Sequence, residues 1–84
     1  MTDSFILWVA SQYWYYASMW FETEPCNMDN PTWVGYGSQA FAYRNVLTEI
    51  TTLNMLEIYC SWSFHYGHGK DSQGFCETML ACKR

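Results

Sequence analysis

Four side chains that can bind a metal lie close together in the second half of the sequence. Cys60, His65, His68 and Cys76 form the pattern C-x4-H-x2-H-x7-C, and zinc prefers such sulfur and nitrogen ligands. Structural zinc sites usually take their ligands from close pairs such as C-x2-C or H-x3-H, and neither pair occurs here. The two histidines also flank Gly67, in a stretch where surface histidines are common. The sequence therefore predicts no metal site.

The same residues could form a nucleophile, with Cys60, Cys76 or Cys82 paired to His65 or His68. A reactive cysteine needs a neighbouring positive charge or a helix N-terminus to stabilise its thiolate, and nothing local provides either. No serine lies in a nucleophile-elbow pattern, so a Ser–His–Asp triad has no support.

Glycine and carboxylate patterns add no catalytic site. Gly35-Tyr36-Gly37 lacks the third glycine and the preceding strand of a dinucleotide-binding fingerprint. Glu49 and Glu57 fall on separate predicted elements. We therefore expect no catalytic residues, and we expect that the chain is not an enzyme.

The charge balance argues against polyanionic partners. Eight acidic residues against four basic ones give a net charge of −4 and a pI of about 4.8. The only adjacent bases are Lys83 and Arg84 at the end of the sequence. Because phosphate backbones and anionic lipids attract basic surfaces, we expect neither nucleic acid nor membrane as a partner.

The chain is short and rich in aromatic residues. Its 84 residues suit one domain, residues 1–84, with one small core. Aromatic side chains make up 20% of it, and charged ones only 14%. Natural domains rely more on Leu, Ala, Val, Glu and Lys. This usage is typical of an artificial sequence fitted to a backbone, or of an unusual natural protein.

Residues 4–21 carry no charge. Serines interrupt the stretch, its aromatic rings are not confined to its ends, and both flanks are acidic, so we do not predict a transmembrane span. A polar stripe at helical spacing predicts a soluble helix. It comprises Ser4, Ser11, Tyr15, Ser18 and Glu22. A strand is the alternative, because Phe, Ile, Trp, Val and Tyr favour sheets.

Residues 22–37 have the composition of a long linker, with two prolines, several turn formers and two glycines. Met28, Trp33 and Val34 are predicted to anchor it.

Residues 38–54 are predicted as the second helix, with Ser38 as its N-cap and Asn54 as its C-terminal stop. Its apolar positions recur every three or four residues. They are Ala42, Tyr43, Val46, Leu47, Ile50 and Leu53.

The last third is predicted as two short elements. An extended piece over residues 55–59 followed by one or two turns over residues 61–66 would form a short third helix, and a strand over residues 55–70 is the alternative. Residues 71–82 are predicted as a closing helix capped by Asp71 or Ser72, with Lys83 and Arg84 near the negative end of its dipole.

Cys26, Cys60, Cys76 and Cys82 are expected to be reduced thiols rather than disulfides, because no export signal precedes them. That absence also predicts a cytoplasmic location. If the cysteines were paired, three connectivities would remain open.

The order of the predicted elements resembles the acyl and peptidyl carrier proteins. In that family an acidic turn, an aromatic residue and a glycine pair precede a serine that opens the second helix. The matching residues here are Met28-Asp29-Asn30, Trp33 and Gly35-Tyr36-Gly37-Ser38, with weaker similarity at Ala42, Arg44, Val46, Leu53-Asn54-Met55, Glu57-Ile58 and Phe64. The family's Asp or His before the serine is Gly37 here, and its following apolar residue is Gln39. In the alternative register, Gln39 rather than Ser38 takes the serine position.

The resemblance implies that 4′-phosphopantetheine is attached to Ser38, with the helix N-terminus favouring its phosphate. The arm would then carry an acyl or aminoacyl thioester, and the acidic carrier would dock on basic enzymes. Without the resemblance, Ser38 is a plain N-cap and no cofactor is expected.

The sequence thus predicts an all-α fold, a small four-helix bundle with a long first loop and a short third helix. The leading functional hypothesis is a small helical domain on a carrier-like frame, either an artificial sequence without evolved activity or an unusual natural one. The alternatives are a functional phosphopantetheine carrier and a protein-interaction module that uses exposed aromatics of residues 13–21. The oligomeric state is left open. An α/β or all-β fold is the structural alternative.

Overall fold

A computed structural model describes residues 2–84. Four α-helices follow one another, and no strand is present in this part of the chain. The helices are α1 (Asp3–Glu22), α2 (Pro31–Ile50), α3 (Met55–Gly67) and α4 (Ser72–Ala81). The predicted all-α, four-helix architecture is confirmed.

The first helix, α1, occupies the uncharged stretch for which a strand was the alternative. The Thr2 side chain accepts a hydrogen bond from Phe5 N at 3.3 Å and caps its start. Its buried face carries Ile6, Val9, Ala10, Tyr13, Ala17 and Ser18. The predicted polar stripe is wrong at Ser18, because this hydroxyl accepts a hydrogen bond from the buried indole of Trp62.

The second helix starts seven residues earlier than predicted. Asn30 is its N-cap, accepting from Thr32 N at 3.1 Å, and Pro31 occupies the first turn. Proline is favoured there because its missing N–H would have no partner in the helix. The linker is therefore residues 23–30 rather than 22–37, and Ser38 is not an N-cap.

Only one face of α2 packs against the rest of the bundle. Gly37, Ala40, Leu47 and Ile50 are buried, and Tyr43 packs against them. Ala42 and Val46, which were predicted to share this face, are exposed. The apolar residues of α2 lie on more than one face, and spacing alone did not identify the buried one.

The third helix is longer than predicted, because α3 is continuous over 13 residues. Asn54 does not end α2. It begins α3, where Asn54 and Glu57 each accept the other's backbone N–H in a capping box. This cap supports a helix where the sequence predicted an extended piece.

The core lies where α1 meets α2 and α4, and α3 packs on α2 and α4. Tyr13 of α1 stacks on Phe75 of α4 with ring centroids 5.7 Å apart. At the end of the chain, Thr52 N donates to Cys82 O and Arg84 N donates to Ile50 O. Lys83 pairs with Asp3 at 2.9 Å. Through these contacts, residues 82–84 pack against the start of α1 and the end of α2.

Within residues 2–84, no helix combines the length and the apolar character needed to cross a bilayer.

Candidate functional site: an aromatic cleft between α1 and α2

The cysteines and histidines do not converge. In the described part of the chain, no three His, Cys, Asp or Glu side chains are placed to share a metal ion. All four cysteines are free, with Cys26 and Cys60 exposed. Burial raises the pKa of the Cys76 thiol, partly offset by its contact with Ser11 at 3.7 Å. A raised pKa is the opposite of what thiolate activation requires.

His65 lies between a carboxylate and a hydroxyl. Its Nδ1 is 3.4 Å from Asp71 Oδ2, and its Nε2 is 3.5 Å from Thr78 Oγ1. This order resembles a hydrolase triad, but Thr78 Oγ1 donates its proton to Gly74 O at 2.9 Å, inside α4. A β-carbon on Gly74 would overlap the Asp71 carboxylate. His65, Asp71 and Thr78 therefore connect α3 to α4, and the Thr78 hydroxyl is not free to react.

A cleft lined by aromatic rings lies between the end of α1 and the start of α2. Trp20 of α1 is its floor, with ring centroids 5.4 Å from Trp33 and 6.0 Å from Phe41. A cavity of about 150 Å³ opens between these rings. Its lining residues are Trp20, Met28, Trp33, Val34, Gly37, Ser38 and Phe41. None of them is charged.

The spacing of residues along α2 creates this cleft. Trp33 and Phe41 are eight residues apart, which is about 12 Å along a helix. Gly37 and Ser38 lie between them with little side chain. Gly37 leaves room for the Trp20 indole, because a β-carbon at this position would be 2.8 Å from two atoms of that ring. The cavity therefore has Trp33 and Phe41 as its walls and the Trp20 indole as its floor. The small residues between the walls leave its interior unfilled.

A second, separate cavity shares Trp20 and Trp33 with the first. It measures about 220 Å³ and is lined by Trp20, Phe21, Cys26 and Trp33. The loop beside it is fixed by its own hydrogen bonds. Asn30 Nδ2 donates to Pro25 O at 2.9 Å, and Asn30 N donates to Asn27 O at 3.1 Å.

Charged residues lie next to lining residues of the two cavities without lining either cavity themselves. The loop carries Glu24 and Asp29, which are exposed and pair with no base among residues 2–84. Glu22 lies 3.4 Å from Lys70. On the Phe41 side, the Arg44 guanidinium lies 4.6 Å from the ring centroid.

Ser38 lies in the interior of α2 and is exposed at the edge of the cleft. Seven residues into the helix, its backbone N–H belongs to the helical hydrogen-bond ladder. The free N–H groups that favour a phosphate lie near Pro31 instead. Ser38 therefore lacks the surroundings that the carrier resemblance implies, and Gln39 is on the same interior turn. These residues do not fit a phosphopantetheine arm.

Sequence reasoning found part of this site. Met28, Trp33 and Val34 were predicted as anchors of the linker, and all three line the cleft, although Met28 is 77% exposed. Trp20 and Phe41 were not singled out. The i, i+4, i+8 series Trp33, Gly37, Phe41 would have indicated the cleft, had the helix start been placed correctly.

A larger groove of about 600 Å³ lies near the start of α3. Its polar side chains are already engaged: Asn54 and Glu57 form the helix cap, and Arg84 donates to Thr48 O.

Comparison with known proteins gives no relative: no family, no curated protein and no solved structure matches this chain. Function is therefore inferred from the geometry of the cleft.

Proposed function

We propose that this chain is a protein-interaction module whose cleft, formed by Trp20, Trp33 and Phe41, receives an apolar side chain of a partner protein. The observation that carries the proposal is a preformed, uncharged cavity with aromatic walls at the protein surface. Aromatic residues are enriched at the centres of protein interfaces, where they form pockets for anchoring side chains.

The size of the two cavities favours a side chain over a free small molecule. Pockets for drug-sized ligands measure about 300–1,000 Å³. The cavities here, about 150 and 220 Å³, are each smaller. One or two apolar side chains from a partner match this scale better.

Exposed apolar surface continues around the cleft. Phe21 is 60% exposed and Met28 is 77% exposed, and both line one of the cavities. Contiguous apolar surface on a small protein often marks an interaction site. Of the aromatic residues in 13–21 that were expected to form an interaction surface, Trp20 and Phe21 line the second cavity. Tyr13 is buried in the core and does not contribute.

A ring placed in the cleft should block it. We would select binding peptides from a random display library on the wild-type protein and measure their affinity for S38F. The matched control is S63F, which puts the same ring on an exposed position of α3. We expect the peptides to bind S38F at least about tenfold more weakly than the wild type, which is the scale of one lost anchoring side chain. Their affinity for S63F should equal that for the wild type. If the library yields no binder, or only binders that ignore S38F, the proposal fails.

The phosphopantetheine carrier hypothesis has a direct test at Ser38. The protein would be incubated with coenzyme A and a broad phosphopantetheinyl transferase, and its intact mass would be measured beside that of S38A. Because Ser38 lies inside α2, we expect no added arm. An adduct on the wild type that is absent from S38A would contradict this expectation and support a carrier.

A further inference from the structure

The partner segment can be specified further by charge. Building on the proposed function, we infer that the segment filling the cleft is a basic amphipathic peptide, with a lysine or arginine beside its apolar anchor.

The first support is the unpaired negative charge on the loop. Residues 20–38 contain Glu22, Glu24 and Asp29 and no lysine or arginine. Lys70 lies against Glu22 at 3.4 Å. Within residues 2–84, Glu24 and Asp29 have no ion-pair partner. Two negative charges on the loop therefore remain for a basic partner to pair with.

The second support is that these charges are held near the cavities. Asp29 follows Met28, and Glu24 is two residues before Cys26, and both Met28 and Cys26 line a cavity. The hydrogen bonds made by Asn30 keep the loop closed. The part of the loop backbone between Glu24 and Asp29 is thus held beside the cavities.

The third support is the opposite wall. The Arg44 guanidinium lies over the ring of Phe41, so the positive charge nearest to this wall belongs to a residue that lines neither cavity. A bound peptide would place its base towards the loop and away from Arg44. The net charge of −4 adds a general attraction for basic partners.

The test uses the same selected peptides and a pair of charge variants. E24Q/D29N removes both loop carboxylates. E49Q/E77Q makes the same change in net charge at exposed positions of α2 and α4, outside both cavities. Peptides that depend on the cleft, as judged by S38F, would be sequenced, and their affinities would be measured at low and high salt.

We expect lysine or arginine to be enriched beside the apolar anchor. E24Q/D29N should weaken binding about threefold or more at low salt, the scale of two exposed ion pairs, while E49Q/E77Q should not. The difference should vanish near 1 M salt, where the screening length is about 3 Å.

The outcomes separate the two claims. The charge inference is wrong if the cleft-dependent peptides are neutral or acidic, or if the two double variants weaken binding equally. Neither outcome contradicts the proposed function. Peptides that bind S38F as well as the wild type overturn the proposed function itself.

Discussion

Gly37 of α2 lies against the indole of Trp20 so closely that a β-carbon on it would be 2.8 Å from both Cδ1 and Nε1. This contact brings α1 and α2 together at the cleft and fixes the position of its floor. Gly35, one half-turn away on the same helix, has no neighbour within 4 Å of the equivalent point. The two glycines therefore have different roles, although both weaken a helix in the same way.

This pair gives the first prediction. G35A should stabilise the protein by about 0.5–1 kcal/mol, because alanine is the better helix former and meets no obstacle. G37A should instead destabilise it by about 1–3 kcal/mol, the usual cost of overpacking, and should alter tryptophan fluorescence through Trp20. Urea unfolding of both variants checks this. Equal effects of the two substitutions would contradict the packing of Trp20 on Gly37.

The second prediction concerns Ser18. Its hydroxyl accepts a hydrogen bond at 3.4 Å from Nε1 of Trp62, a residue only 2% exposed. S18A would leave this buried donor unpaired and should cost about 1–2 kcal/mol. S63A, at an exposed position, should change the free energy of unfolding by less than about 0.5 kcal/mol. A double-mutant cycle with W62F would isolate the interaction, and additivity within error would argue that no such bond exists.

The third prediction separates two roles of Asp71. Its Oδ1 caps α4 by accepting from Gly74 N at 2.9 Å, and its Oδ2 lies 3.4 Å from His65 Nδ1. Asparagine is also a good N-cap, so D71N should keep the cap and lose only the charge next to His65. D71A loses both and should cost about 1 kcal/mol more than D71N, as measured by thermal unfolding. Equal stability of D71A and D71N would mean that the cap contributes nothing.

The fourth prediction concerns stability at high pH. Burial raises the pKa of Tyr13 from 10.0 to about 12. Burial, and then the nearby Glu22 carboxylate, raise the pKa of Tyr66 to about 12 as well. The folded state thus keeps protons that the unfolded state loses above pH 10. The stabilisation is complete below pH 10 and is lost as the pH rises to about 12.

Two measurements check this. Absorbance of the folded protein near 295 nm should show tyrosine ionisation near pH 12, and this part of the titration should be smaller in Y13F and in Y66F. In Y13F, the free energy of unfolding should fall less steeply between pH 10 and 12 than in the wild type. An identical slope would show that Tyr13 titrates normally in the fold.

The main features of the fold could be predicted because they depend on local patterns. The uncharged stretch of α1, residues 4–21, has no proline, glycine, asparagine or aspartate, and Asp71 is a recognisable cap for α4. The boundaries of α2 and α3 were wrong for a definable reason. Pro31 was assigned to the linker and Asn54 to the end of the second helix, whereas each lies at the beginning of a helix. Proline suits the first turn as well as a stop, and Asn54 with Glu57 is a capping box that spacing could have revealed.

The sequence by itself determined that four helices form and that thiols and histidines lie in no recognisable catalytic or metal-binding pattern. Only the tertiary structure decided which apolar face of α2 is buried and that Ser38 lies inside a helix. It also decided that Trp20, Trp33 and Phe41 meet around a cavity. Helix formation follows from caps and propensities within a few residues, whereas a cleft between two helices depends on how closely they approach, which here is set by the missing side chain of Gly37.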